Sequence, residues 1–239
     1  MLPGIQDTHA RSRARDEMPQ SAGGKTVMTT EPKFIPDEAM EVRLSDGISA
    51  RVRMVDCVGY LIPDVLGTLE NGEPRMVRTP WQEEAMPFVE AAELGTRTLI
   101  REHATIGMLV TTDGSLGEIP RQAYVEAEER IVAELRQIGK PFAVILNTVD
   151  PSSQAAVSLA YELESKYGAP VALVNCLNLN REDIHHILEM VLHEFPVQEI
   201  AVQLPPWTAA LEVSHRIRQS VEGAVMRCAQ QVGKIGDIP

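Results

Sequence analysis

The sequence predicts an α/β fold: a mostly parallel sheet with helices on both faces and one antiparallel hairpin ahead of it. Three observations carry this reading. Short unbroken apolar runs recur at Ile106–Val110, Phe142–Leu146 and Val171–Val174, as strands buried on both faces require. Stretches of helical spacing separate those runs, and strand–helix–strand units of that kind build parallel sheets. Upstream, two alternating segments meet at Ser45-Asp46-Gly47, a hairpin signal.

Residues 1–38 are polar and broken by Pro3, Pro19, Pro32 and Pro36, which predicts an irregular segment carrying little core. Met40–Leu44 and Ile48–Val55 then alternate, the second strand ending at Asp56. Residues 60–80 read as a long connection rich in Gly and Pro. Tyr124–Ile138 places Val125, Ile131, Val132, Leu135 and Ile138 at helical spacing, with Gly139 as its stop. Glu126, Glu128 and Glu129 are expected on the solvated face of that helix. Gln154–Tyr167, stopped by Gly168, and Asp183–His193 are two further helices. Past Phe195-Pro196 the pattern changes: Gln198–Leu204 reads as a strand, Pro205-Pro206 breaks the chain, and Trp207–Val232 is helical. The expected division is therefore 1–38, a main domain over 39–196, and the start of another domain over 197–239.

With 239 residues and 44% apolar composition, the chain can bury a real core. A net charge of −12 argues against nucleic acid as the main partner, since phosphate backbones want a basic stripe. Cys57, Cys176 and Cys228 are odd in number, far apart and without a CxxC pair, which suits a reducing cytoplasm and offers no structural zinc site. No run approaches the roughly 20 apolar residues of a membrane span, and no apolar signal segment follows Met1. The expectation is a soluble, cytoplasmic protein, with peripheral membrane attachment through a partner left open.

The chemistry is carried by four signals in a fixed order. Thr26, Thr29 and Thr30 lie in the polar loop ahead of the hairpin, where a hydroxyl can reach Mg²⁺ or a γ-phosphate. Asp56-Cys57-Val58-Gly59 follows: an Asp at a strand end can face Mg²⁺ through a water, and a Gly leaves its N–H open to a phosphate. Asn147-Thr148-Val149-Asp150 ends the strand from Phe142, where Asn147 and Asp150 can hold a purine base. Val174-Asn175-Cys176 ends the next strand, with backbone N–H groups of Asn175 and Cys176 over the same base. Ligands of parallel sheets bind at the strands' C-terminal ends, so these signals should converge on one rim.

Each signal also has a plainer reading. The threonines can cap a turn, and Asn147 and Asp150 can close a strand and open a helix at Pro151. Asp113-Gly114 reads as a strand-to-helix turn, whose place at the sheet's C-terminal edge also permits a ligand contact. His185, His186 and His193 lack the partners that would complete a metal site.

The order of these motifs resembles that of P-loop GTPases, except that Thr148 stands where a Lys is usual, which opens the choice between ATP and GTP. A longer likeness covers nearly the whole chain. The segment from Arg15 to Phe34, Arg53-Met54-Val55-Asp56-Cys57-Val58-Gly59-Tyr60, Thr79-Pro80-Trp81 and Thr111-Thr112-Asp113-Gly114-Ser115 resemble the stage IV sporulation protein A family.

That resemblance implies a P-loop NTPase-type domain that binds ATP and Mg²⁺. It also implies polymerisation with further copies of itself on the outer surface of the forespore, in the mother cell. The polymer would be a base layer for coat assembly, alongside other coat proteins and forespore-membrane anchoring proteins. It places Asp56 and Thr30 toward Mg²⁺, Thr29, Thr30 and Gly59 toward the γ-phosphate, and Thr26, Asn147, Asp150, Asn175 and Cys176 around the nucleotide. The family's phosphate loop, GxxxxGK[ST], is expected upstream of residue 1 together with the first strand and helix of the sheet, so the chain as given is expected to bind ATP poorly and to hydrolyse it negligibly. Gly23-Gly24-Lys25-Thr26 does not replace it, because the first Gly of the motif falls on Pro19.

Overall fold

The computed structural model describes residues 33–43, 49–62, 65, 67–79 and 82–238. The chain is α/β, centred on three parallel strands: β7 (Gly107–Thr112), β8 (Phe142–Asn147) and β9 (Val171–Val174). They lie in the order β7-β8-β9, with Thr112 opposite Asn147 and Asn147 opposite Val174. This register brings all three C-terminal ends to one rim.

Alternation along β8 sorts its side chains between two cores, as the period of two demands. Phe142, Val144 and Leu146 join Leu109 under Val132 and Leu135 of α2 (Gln122–Gln137) and Ala160, Leu163 and Tyr167 of α3 (Gln154–Tyr167). Ala143 and Ile145 face the other way with Ala172 and Val174, under Ile187 and Val191 of α4 (Arg181–His193). Helices therefore cover both faces. The bounds of α3 and β9 coincide with those expected from the sequence, and α2, β8 and α4 differ only at their ends.

Ahead of this sheet, β1 (Lys33–Arg43) pairs antiparallel with β2 (Ser49–Asp56). β1 begins at Lys33, earlier than the irregular segment expected through residue 38 would permit, because Lys33–Ile35 pair with Met54–Asp56 across a bulge. The hairpin forms its own two-stranded sheet rather than a continuation of the parallel one. β2 is accordingly half-exposed and not a buried strand, and Asp56 is exposed.

The Gly- and Pro-rich connection holds more structure than expected. β3 (Leu69–Glu70) pairs with β4 (Glu73–Pro74), and β5 (Met76–Thr79) with β6 (Gln82–Pro87). β6 runs into α1 (Phe88–Glu102), which buries Phe88, Ala91, Ala92, Gly95, Thr96, Leu99 and Ile100.

Two expectations past residue 196 are overturned. Residues 198–204 form no strand, for a strand is stabilised only by a partner, and none pairs there among the described residues. The helix expected from Trp207 is shorter: a single 3-10 turn at Pro206–Thr208 precedes α5 (Arg216–Gln231). The chain then folds back on the end of α4. Ile235 N–H donates to the Phe195 carbonyl at 2.9 Å, and Lys234 pairs with Glu194 at 2.6 Å.

Helix α2 carries another correction. Glu126 and Glu129 are exposed as expected, but Glu128 is buried at 3% exposure. It shares a helix face with Val132 and Leu135, and its charge is met by Arg121 and the hydroxyls of Thr111 and Tyr167.

Candidate functional site

At the shared C-terminal rim, the ends of β7, β8 and β9 are tied together by side chains. Thr148, buried at 1% exposure, donates its hydroxyl to Asp113 Oδ2 at 2.5 Å. Asp113 Oδ1 accepts from the Ser115 hydroxyl at 2.5 Å and the Ser115 N–H at 2.9 Å. Ser115 Oγ in turn accepts the Val149 N–H at 3.0 Å. Gly114 makes this tight loop possible: its φ is +85°, and a Cβ there would sit 2.8 Å from the Arg121 nitrogen. The side chain after Asn147 is thus turned inward and used to hold the rim.

The β8 and β9 ends are joined next. Asn147 Oδ1 accepts the Cys176 N–H at 2.9 Å, and Asn175 Nδ2 donates to the Val149 carbonyl at 3.0 Å. Asn175 Oδ1 takes the Leu177 N–H at 3.1 Å. The Cys176 and Leu177 N–H groups are therefore spent within the rim, whereas the sequence had placed the Cys176 N–H over a base. Burial pushes the Cys176 thiol up.

Asp150 stands at the solvent side of the same turn. Its Oδ1 accepts the Ser152 N–H at 3.0 Å and the Ser152 hydroxyl at 2.6 Å, the first of these in the form of an Asx turn. The Ser152 hydroxyl, and after it the Ser152 N–H, hold the Asp150 carboxyl below its ordinary value. Helix α3 starts beyond it, capped by Ser153, whose Oγ accepts the Ala156 N–H at 3.3 Å.

Asp113 supplies a pH test of the rim. Partial burial alone would raise its carboxyl, but the hydrogen bonds from Ser115 and Thr148 outweigh burial and hold it low. A carboxyl lowered by folding stabilises the fold above its unfolded pKa of about 3.9, and that contribution disappears as pH falls through the folded value. Wild-type protein should therefore be more stable than Asp113→Asn above about pH 5, with the gap closing on acidification below about pH 4. Urea unfolding at a series of pH values measures this; a gap independent of pH would contradict it.

The rim brings together Asn147, Asp150, Asn175 and Cys176. Asp56 and Gly59 are positioned by other elements. Gly59 has φ +78°, and nothing lies within 4 Å of the place a Cβ would take, so its backbone is open to close approach. Burial pushes the Cys57 thiol up, with Thr96 of α1 beside it. Tyr60 is buried and donates its hydroxyl to Glu134 of α2, which also accepts from Arg97 of α1 at 2.8 Å. Arg130 stacks over the Tyr60 ring at 4.4 Å. The segment after Asp56 is thus fixed to α1 and α2, through contacts separate from the Asn147–Cys176 bond of the rim. Thr26, Thr29 and Thr30 lie outside the described residues.

Ser115 and Ser152 are not among the sequence candidates, and the sequence marks Asp113 only as a turn residue open to a ligand and Thr148 only as standing in place of a Lys. Small hydroxyl and acidic residues in turns are common, and only the strand register shows that these face one another. Among the described residues no group of three His, Cys, Asp or Glu side chains gathers for a metal, and no helix is long and apolar enough to cross a membrane.

Residues 1–196 match the family model for stage IV sporulation protein A, ATPase domain. The chain belongs to this family. It is 45% identical over 238 residues to the stage IV sporulation protein A of Bacillus anthracis and 47% identical over 238 residues to that of Clostridioides difficile (strain 630). Identity to the stage IV sporulation protein A of Bacillus subtilis (strain 168) is 44% over 238 residues. These alignments cover 100% of this chain and 48% of each relative, so the chain spans about half the length of the curated relatives it matches. No solved structure matches it.

Proposed function

We propose that this chain contributes the base-binding rim and the metal-facing segment of an ATP site, in a sporulation protein that hydrolyses ATP. The observation that carries this reading is the convergence of Asn147, Asp150, Asn175 and Cys176 at one sheet rim, in a member of an ATPase-domain family. The division into 1–38, 39–196 and 197–239 belongs to the same proposal.

The residues present fit a nucleotide and Mg²⁺ at two places. Asp56 offers an exposed carboxylate, and Gly59 offers backbone with no atom where a Cβ would stand. Asp56 would hold Mg²⁺ through water, together with Thr30, while Gly59, Thr29 and Thr30 would touch the γ-phosphate and Thr26 the nucleotide. When bound, Mg²⁺ neutralises charge on the β- and γ-phosphates. Asp150 would accept from the base, and Asn147 would orient the β9 end by holding the Cys176 N–H.

Release of the threonine and glycine contacts after hydrolysis would switch a self-association surface. The resulting polymer would lie on the forespore's outer surface within the mother cell. There it would act as a base layer for the coat, beside coat proteins and forespore-membrane anchoring proteins.

Titration of the full chain with ATP and GTP, with and without Mg²⁺, tests the proposal. Weak but saturable ATP binding is expected, with a Mg²⁺-dependent gain that Asp56→Ala reduces about tenfold, the size of one charge-assisted contact. Association indifferent to any nucleotide would instead favour a structural scaffold, and tighter binding of GTP would favour a GTP-dependent switch.

A further inference from the structure

We propose that Ser152 determines which base the rim accepts: by filling one oxygen of Asp150, it leaves a single acceptor oxygen, matched to a base with one amino donor. The inference rests on the nucleotide reading of the rim and adds to it a residue with a defined role. A carboxylate has two oxygens with about four lone-pair sites in all. On Asp150, Oδ1 already accepts two hydrogen bonds, from the Ser152 N–H at 3.0 Å and the Ser152 hydroxyl at 2.6 Å. Among the described residues, Oδ2 accepts none, and Asp150 is exposed.

Guanine presents two adjacent donors, N1–H and the N2 amino group, which pair best with both oxygens of a free carboxylate. Adenine presents one amino group on the corresponding edge and needs one oxygen. Two other side chains of the rim that could accept are already engaged. Thr148 is turned inward onto Asp113, and the Asn147 oxygen is taken by the Cys176 N–H. A site that hydrogen-bonds a specific edge rejects the wrong one because a donor is left unpaired.

Ser152 is exposed, and the neighbouring Ser153, not Ser152, caps α3, so Ser152→Ala leaves the fold intact. The test measures Mg·ATP and Mg·GTP binding to the full chain, wild type and Ser152→Ala, with Asp150→Ala as reference. Wild type should prefer ATP, and Ser152→Ala should lower the ATP-to-GTP affinity ratio by about three- to tenfold, chiefly by improving GTP. Asp150→Ala should bind both nucleotides with nearly equal affinity. An NMR titration of the Asp150 carboxyl should show its pKa rising in Ser152→Ala, since the lost hydroxyl favours the ionised form. Nucleotide binding with an unchanged ratio in Ser152→Ala overturns this inference alone. Failure of wild type to bind either nucleotide overturns it together with the reading of the rim.

Discussion

Replacing Arg121 with Ala is expected to destabilise the fold by about 3–5 kcal/mol, the cost of leaving a buried charge without its partner. Glu128 is 3% exposed and receives a bidentate pair from Arg121, with one arm at 2.7 Å. The Thr111 hydroxyl and the Tyr167 hydroxyl, the latter at 3.1 Å, complete its shell. One carboxylate thereby ties β7, α2 and α3 around the larger core. Once the guanidinium is gone, two neutral hydroxyls remain to stabilise an ion already withdrawn from water, and a desolvated charge costs more than they return. Thermal unfolding should show Tm falling on the order of 10 °C in a chain of this size. The double variant Arg121→Met/Glu128→Leu should recover most of the loss, because an apolar pair of similar volume needs no charge compensation. An Arg121→Ala protein as stable as wild type would mean that water reaches Glu128.

That network marks where sequence reading stops. Glu128 lies four and seven residues before Val132 and Leu135, so it sits within the apolar stripe rather than beside it. Read only as charge, the Glu126, Glu128 and Glu129 group suggests one solvated face. Its burial depends on Arg121, Thr111 and Tyr167, two of them on other elements. The strands β7, β8 and β9 were legible because unbroken apolar runs have few alternatives to a doubly covered strand. Helix α1 was not: its buried stripe includes Ala91, Ala92, Gly95 and Thr96, whose small side chains leave little hydrophobic contrast with the exposed face. The reverse error arose at residues 198–204, where apolar alternation suggests a strand and no pairing among the described residues supports one.

The rim shows the same division. Asn147, Asp150, Asn175 and Cys176 could be grouped in advance, since the ends of parallel strands meet at one edge. Which atom answers which could not. The spacing of Asn147 and Asp150 is compatible both with binding a ligand and with closing a turn, and the structure shows Asn147 accepting one internal hydrogen bond and Asp150 two, both on Oδ1, while its other oxygen stays open. The Asp113–Thr148 bond depends on Thr112 and Asn147 being opposite in register, which composition does not encode. Attachment of the Asp56 segment through Tyr60 to Glu134 is likewise a long-range contact with no local sequence signal.

The unequal cover of the two sheet faces leads to the second large effect. Leu146 is 0% exposed between α2 and α3, so Leu146→Ala should cost about 2–5 kcal/mol, combining lost transfer energy with the cavity left behind. Val110, one strand away on β7, is 59% exposed, and its neighbour on the same face, Met108, is 38% exposed. Val110→Thr keeps the β-branched shape that strands favour while adding a hydroxyl that water can reach. Its effect on monomer stability should stay within about 0.5 kcal/mol, as for surface positions generally. Urea unfolding of the two variants separates burial from strand membership: both residues lie in the parallel sheet, and only one is covered. If Val110→Thr proved as costly as Leu146→Ala, the β7 face would have to be packed in solution, and sedimentation velocity across a concentration series would show whether a second copy packs it.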